Sequence, residues 1–217
     1  MKNVLVADNQ AIVCLGLTTL IESLPDFQVI NQVDNGVDAY MQIEQGNVDI
    51  LITELTMPPG ESGLLTTRRV HDAFPDVAIM ILSSCEDQAL INQAIHNGAQ
   101  SYIFKSSPTT EIVTGLHHLV DGERYLDNNI MITKQDLEEI NYGSTAVDMT
   151  GYQDLSKRER ELLPFIALGY SNKEVAKKLF ISTKTVEAHK ASIMRKLALD
   201  SQAALIRYAV HHHLISF

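Results

Sequence analysis

Four places in the chain put a polar or charged residue shortly after a short apolar run. Asp8-Asn9 follow Val4-Leu5-Val6, Glu54 follows Ile50-Leu51-Ile52, Ser83-Ser84 follow the run from Val77 to Leu82, and Lys105 follows Ser101 to Phe104. Carboxylates, a hydroxyl and an ammonium are groups that handle a phosphoryl group or a hard dication, provided that they converge. A second set lies near the C-terminus, where Lys184, Thr185, Glu187, Ala188, His189, Lys190 and Ala191 crowd into one segment. Cations beside small side chains suit a polyanion that is approached closely.

The first set converges only in a particular architecture. The apolar runs, together with Phe27 to Val33, are short and nearly continuous, which predicts strands buried on both faces of a parallel sheet. Stretches of helical pattern separate them, for example Ala11 to Ser23 and Leu64 to Phe74, as right-handed βαβ crossovers require. The expected fold over residues 1–121 is therefore α/β, a doubly wound five-stranded parallel sheet. Such a sheet collects the residues at the carboxyl ends of its strands in one crevice.

Residues 122–153 lose the rhythm. Asp121-Gly122 closes the last helix, and Gly143-Ser144 and Thr150-Gly151 break a polar, acidic stretch that is expected to be a linker, with a helical possibility at Lys134 to Ile140.

From residue 154 to 217 the pattern is purely helical. Ser156-Lys157-Arg158-Glu159 and Ser171-Asn172-Lys173-Glu174 read as capping boxes, in which the serine caps the helix and the glutamate reaches back. Gly169 ends the first helix, the second covers Asn172 to Leu179, a third runs from near Ser182 to about Leu197, and a fourth from Ser201 to about His211. Short helices joined by tight turns predict an all-α, four-helix helix-turn-helix domain. In its third helix Val186, Ile193 and Leu197 recur at core spacing, so the basic set faces outward. On that face Ala188 and Ala191 permit approach to base edges, while Lys184, Thr185 and Lys190 hold phosphates.

Charge separates the two parts. Residues 1–153 carry 6 Lys+Arg against 21 Asp+Glu, a balance of −15, whereas residues 154–217 carry 11 against 6, a balance of +5. The acidic total of −10 thus conceals a basic segment suited to the DNA backbone. No apolar run approaches the roughly 18 residues of a membrane span, and a cytoplasmic location is expected. The two cysteines, Cys14 and Cys85, read as free thiols, and His211 to His213 as native residues outside any metal site. No Gly-rich phosphate loop or Ser-His-Asp spacing accompanies the strand-end carboxylates, so a phosphohydrolase is the remote alternative and an enzyme is not expected.

The segment Leu155-Ser156-Lys157-Arg158-Glu159, the run Gly169 to Ala176, the sequence STKTVEAH from Ser182 to His189, and IMRKL from Ile193 to Leu197 resemble the LuxR-type DNA-binding domain. With the N-terminal half included, essentially the whole chain resembles the NarL/FixJ class of two-component response regulators. The run Met57-Pro58-Pro59-Gly60-Glu61-Ser62-Gly63-Leu64 looks closest to Gram-positive regulators of oxygen and nitrate response. The resemblance implies a flavodoxin-like receiver, a cytoplasmic homodimer bound to double-stranded DNA at an inverted repeat, and pairing through Ala204, Leu205 and Tyr208 of the last helix. It implies no membrane contact, leaves a cognate histidine kinase open, and places Tyr102 at the family's aromatic switch position.

The receiver resemblance breaks at two positions. The family has two adjacent acidic residues after the first strand and a phosphate-accepting aspartate after the third; here Asn9 and Glu54 stand there, while Ser83 and Lys105 fit. Asn9 supplies a neutral oxygen where a carboxylate would ligate Mg²⁺. Glu54 sets its carboxylate roughly 1.5 Å further out than an aspartate would. In-line phosphoryl transfer needs both metal and position, so aspartyl phosphorylation is not expected, nor any cofactor beyond a weak Mg²⁺ site. Glu54 also pushes a negative charge toward Ser83 and Lys105, so the pocket is either a standing imitation of the phosphorylated state or a hydrogen-bonded remnant with no signalling role. A conventional kinase-driven regulator carrying an engineered, phosphate-mimicking Glu54 is the alternative, but it leaves Asn9 unexplained.

Overall fold

The computed structural model describes residues 1–57, 60–130, 151–152, 154–211 and 214–216. The chain divides into two compact units.

In the first unit five strands alternate with five helices: β1 (Lys2–Ala7), α1 (Ala11–Glu22), β2 (Phe27–Val33), α2 (Gly36–Glu44), β3 (Ile50–Thr53), α3 (Gly63–Ala73), β4 (Ala78–Ser83), α4 (Gln88–His96), β5 (Ser101–Phe104) and α5 (Thr109–Val120). A sixth strand, β6 (Tyr125–Leu126), follows. The sheet order is β2-β1-β3-β4-β5-β6, with every pairing parallel. Because the chain order reverses between β1 and β3, the carboxyl ends of these strands open onto one crevice.

Two layers of core sandwich the sheet. Leu5, Leu51, Ile79, Ile81 and Tyr102 pack on one face with Ala39, Ile43, Leu64, Ile91 and Ala94. Val4, Val6, Ile50, Ile52, Met80 and Ile103 pack on the other with Leu17, Ile21, Ile112 and Leu116. The central strands are buried on both faces, as their unbroken apolar runs require. Strand β2 is the exception: as an edge it keeps only Phe27 buried, so its apolar residues mark a strand without marking a two-sided one.

The expected linker begins in the structure as the edge strand β6, which makes the sheet six-stranded rather than five-stranded. The buried Asp127 just beyond it explains why so polar a segment docks. Its carboxylate accepts from the Phe104 N–H at 3.2 Å and from the Asn129 N–H at 2.9 Å, while its own N–H donates to the Tyr102 carbonyl at 2.9 Å. The possible helix at Lys134 to Ile140 lies outside the described residues.

The second unit holds α6 (Lys157–Ala167), α7 (Asn172–Lys178), α8 (Thr183–Lys196) and α9 (Gln202–His211). Both capping boxes form: the Ser156 and Ser171 side chains accept from the backbone of Glu159 and Glu174, whose carboxylates accept in return from the serine N–H groups. Gly169, at φ 85°, supplies the left-handed residue after α6.

Glu159 also ties the ends of two helices together, because its buried carboxylate is 2.7 Å from the Lys196 ammonium at the end of α8. Burial alone would raise the Glu159 pKa, but the hydrogen bonds from Lys196, Ser192 and Ser156 outweigh it and bring it down to about 2. A carboxyl depressed by folding contributes stability that is full above its unfolded pKa, near 4.5, and lost as pH falls toward about 2. Acid titration of unfolding should therefore show this domain losing a few kcal/mol over that window, and Glu159→Gln should abolish that part of the pH dependence.

Candidate functional site

The strand-end residues converge as the topology requires. Asp8 follows β1, Glu54 follows β3, Ser83 ends β4 and Lys105 follows β5. Asp8 and Glu54 are each 4% exposed and Ser83 is 1% exposed, so the three sit essentially out of water. The Lys105 ammonium lies 2.6 Å from Asp8 Oδ2 and 2.6 Å from Glu54 Oε2. One cation thus holds two buried carboxylates. Burial pushes the Lys105 ammonium toward losing its proton, but the hydrogen bonds and charges of Asp8 and Glu54 outweigh this and hold its pKa above the ordinary lysine value.

Glu54 is gripped from its other side as well. Its Oε1 accepts a very short hydrogen bond from the Ser83 hydroxyl, one from the Leu55 N–H at 2.6 Å, and a longer one from the Thr56 N–H at 3.3 Å. Gly63 allows the backbone to sit this way: a Cβ there would stand 2.1 Å from the Glu54 carbonyl oxygen. Asp8 Oδ1 accepts from the Gln10 N–H at 2.8 Å. Asn9, by contrast, is exposed.

Tyr102 lies close to this cluster. The Ser83 hydroxyl accepts from the Cys85 N–H at 3.2 Å, and the Cys85 carbonyl accepts from the fully buried Tyr102 hydroxyl at 2.9 Å. Burial first, then the neighbouring Cys85, raises the Tyr102 pKa, so the phenol stays a neutral donor. Cys85 thus stands between the two, bonded through its N–H to the Ser83 hydroxyl that grips Glu54 and through its carbonyl to Tyr102.

In the second unit the residues expected on DNA lie along α8. Lys184, Glu187, Ala188 and Ala191 are exposed, and Thr185, His189 and Lys190 are half-buried, while Val186 and Ile193 are fully buried behind them. The Thr185 hydroxyl lies 2.7 Å from that of Ser182, which caps the helix, so part of its hydrogen bonding closes the cap.

On α9 the structure corrects one residue. Leu205 is fully buried in the domain's own core together with Ala209, because Gln202 anchors the helix by donating to the Ile166 carbonyl at 2.6 Å. Ala204 and Tyr208 stay half-exposed, so a second copy could meet those two residues but not Leu205. Arg195, not among the residues expected on DNA, is exposed four residues beyond Ala191 on the same stripe of α8.

Two family models match the chain: "Response regulator receiver domain" over residues 4–117 and "Bacterial regulatory proteins, luxR family" over residues 153–209. Over 216 residues, 99% of each chain, it is 39% identical to the oxygen regulatory protein NreC of Staphylococcus carnosus (strain TM300). The chain is a response regulator. Its class is the one that joins a receiver to a luxR-family DNA-binding domain, that is, a transcription regulator and not an enzyme.

NreC of Staphylococcus aureus (strain JH9) is 38% identical to the regulator over 215 residues, again 99% of each chain. Among solved structures, RcsB of Salmonella typhimurium superimposes with a TM-score of 0.56 at 27% identity, covering 97% of this chain and 99% of that one. An RcsB-DNA complex, at 24% identity and a TM-score of 0.54 over 97% and 98% of the two chains, shares the fold. The regulator's sheet and its four C-terminal helices are those expected of the NarL/FixJ type. Among the described residues no helix is long and apolar enough to cross a membrane.

Proposed function

We propose that this response regulator binds an inverted repeat in double-stranded DNA as a cytoplasmic homodimer, and that its receiver is held in an active-like state by Glu54 without aspartyl phosphorylation. One observation carries the reading: the Glu54 carboxylate is bonded at once by Lys105, Ser83 and the Leu55 amide. Lys105 and Ser83 stand where the family has its phosphate-sensing groups, and here an anion built into the chain occupies them. A single carboxylate delivers less charge than an acyl phosphate, but it is permanent.

The residues present do not suit the Mg²⁺ that phosphorylation uses. Asp8 and Glu54 share one lysine, their other oxygens already accept from the backbone or Ser83, and Asn9 adds no charge. A hard dication needs anionic oxygens left open to it. A phosphate supply from a histidine kinase is then not required, and regulation passes to the amount of protein or to a bound partner.

On DNA, Ala204 and Tyr208 of paired α9 helices would set two α8 helices about one helical turn apart. RcsB, whose fold this chain shares, has been solved as dimers on DNA. The full chain should bind duplex DNA with no phosphodonor present, and Lys184→Ala and Lys190→Ala should each weaken binding on all sequences while reducing the salt slope by about 1. Titrations at several salt concentrations test this; a strictly monomeric complex, or lysine variants that bind like the parent, would contradict it.

A further inference from the structure

Glu187 sits where a negative charge ought to be costly. Lys184, Glu187, Ala188 and Ala191 fall at i, i+3, i+4 and i+7 of α8, and all four are exposed on one stripe. A stripe that lies against phosphates gains from lysine and loses from glutamate, by like-charge repulsion in a partly dry interface. Pairing with its own lysines does not offset this, because among the described residues neither Lys184 nor Lys190 bridges to it. Its partner is Asn172, the first residue of α7, whose Nδ2 lies 3.4 Å from Glu187 Oε1. That long, neutral contact steadies the carboxylate without cancelling its charge.

An anion can be favourable in the major groove only opposite a donor. Guanine presents two acceptors there, thymine an acceptor and a methyl, and adenine pairs its amino group with the N7 acceptor. Cytosine presents its N4 amino group alone. Glu187 lies one turn inside the start of α8, among the residues a recognition helix carries to base edges, and Ala188 and Ala191 beside it leave the backbone free to come close.

We propose that Glu187 reads a cytosine in each half-site by accepting a hydrogen bond from its N4 amino group, with Asn172 as the positioning residue. This rests on α8 being the DNA-reading helix. It makes the one acidic residue of the face a determinant of specificity rather than of affinity.

Selection of bound duplexes from a random-sequence library by the full chain tests it. The parent should enrich cytosine at one symmetric position of the repeat, with a preference of roughly tenfold, as a single base contact gives. Glu187→Gln should change that position to adenine, which glutamine contacts through N6 and N7. Glu187→Ala should flatten it and leave the other positions intact. Asn172→Ala should weaken the cytosine preference without moving it. If Glu187→Ala keeps every base preference and only binds all sequences more tightly, Glu187 is a bare charge and the proposal is wrong. It is equally wrong if the parent enriches no cytosine in its half-site. Loss of Lys184 and Lys190 without effect on DNA binding would overturn the assignment of α8 itself, and this inference with it.

Discussion

Asn9→Asp and Glu54→Asp together should turn a receiver that is expected to take no label from acetyl phosphate into one that is phosphorylated in the presence of Mg²⁺. The first change returns an anionic oxygen beside Asp8. The second draws the acceptor carboxylate back by one methylene, out of the grip of Ser83 and Lys105, and opens the space that Glu54 fills. Each defect alone is expected to cost a factor of about 10² or more in transfer rate, since tenfold needs only about 1.4 kcal/mol at the transition state. The single variants should therefore recover little and the double variant most. Mass spectrometry of the intact protein reads the added phosphoryl group, and magnesium titration reads the restored metal site. A double variant that binds Mg²⁺ no better than the parent would show that the pocket fails for a reason other than these two side chains.

Glu54→Gln is expected to have the other large effect. The substitution keeps the shape but removes the charge, so the Lys105 ammonium is left with Asp8 alone and the bond from Ser83 loses its anionic acceptor. Charge-assisted hydrogen bonds contribute about 1.5–3 kcal/mol each, against about 1 for neutral ones. Losing that difference shifts the receiver's equilibrium by about tenfold or more, and dimerisation and DNA affinity should fall together, because a dimer presents two DNA-binding domains to one repeat. Sedimentation and DNA titration of the full chain check both. If the pocket is an inert remnant, neither quantity moves, although the protein should melt at a lower temperature.

The parts of this molecule that were legible in the sequence were those with a local physical signature. Unbroken apolar runs marked the buried strands, and because parallel strands end on one side, Asp8, Glu54, Ser83 and Lys105 could be assigned to one crevice before any distance was known. Serine and glutamate at capping spacing fixed the starts of α6 and α7 to within a residue. What was illegible depended on tertiary context. Strand β6 is two residues long and docks through Asp127, whose value lies in accepting from Phe104 across the sheet edge, not in any run of its own. The burial of Leu205 is set by how α9 lies on α6, whereas the resemblance had placed it on the dimer face. Phe180, in the turn between α7 and α8, adopts φ 53° and is 89% exposed, and no sequence rule places a phenylalanine in a conformation that favours glycine or asparagine.

The departures at Asn9 and Glu54 gave a disagreement with the family pattern but not its consequence. A longer carboxylate could have pointed to solvent, displaced Lys105, or closed on it. The structure has it closed, within 2.6 Å of Lys105 and bonded to Ser83, and the proposed active-like state rests on that contact.

The most direct test exposes the unmodified full chain to acetyl phosphate and Mg²⁺, then measures its intact mass, the site of any label, and its affinity for the same duplex before and after. The account predicts no mass increase in the pocket and an unchanged affinity. A phosphoryl group mapped to Asp8 or Glu54, or a tenfold tightening on DNA after treatment, would contradict it.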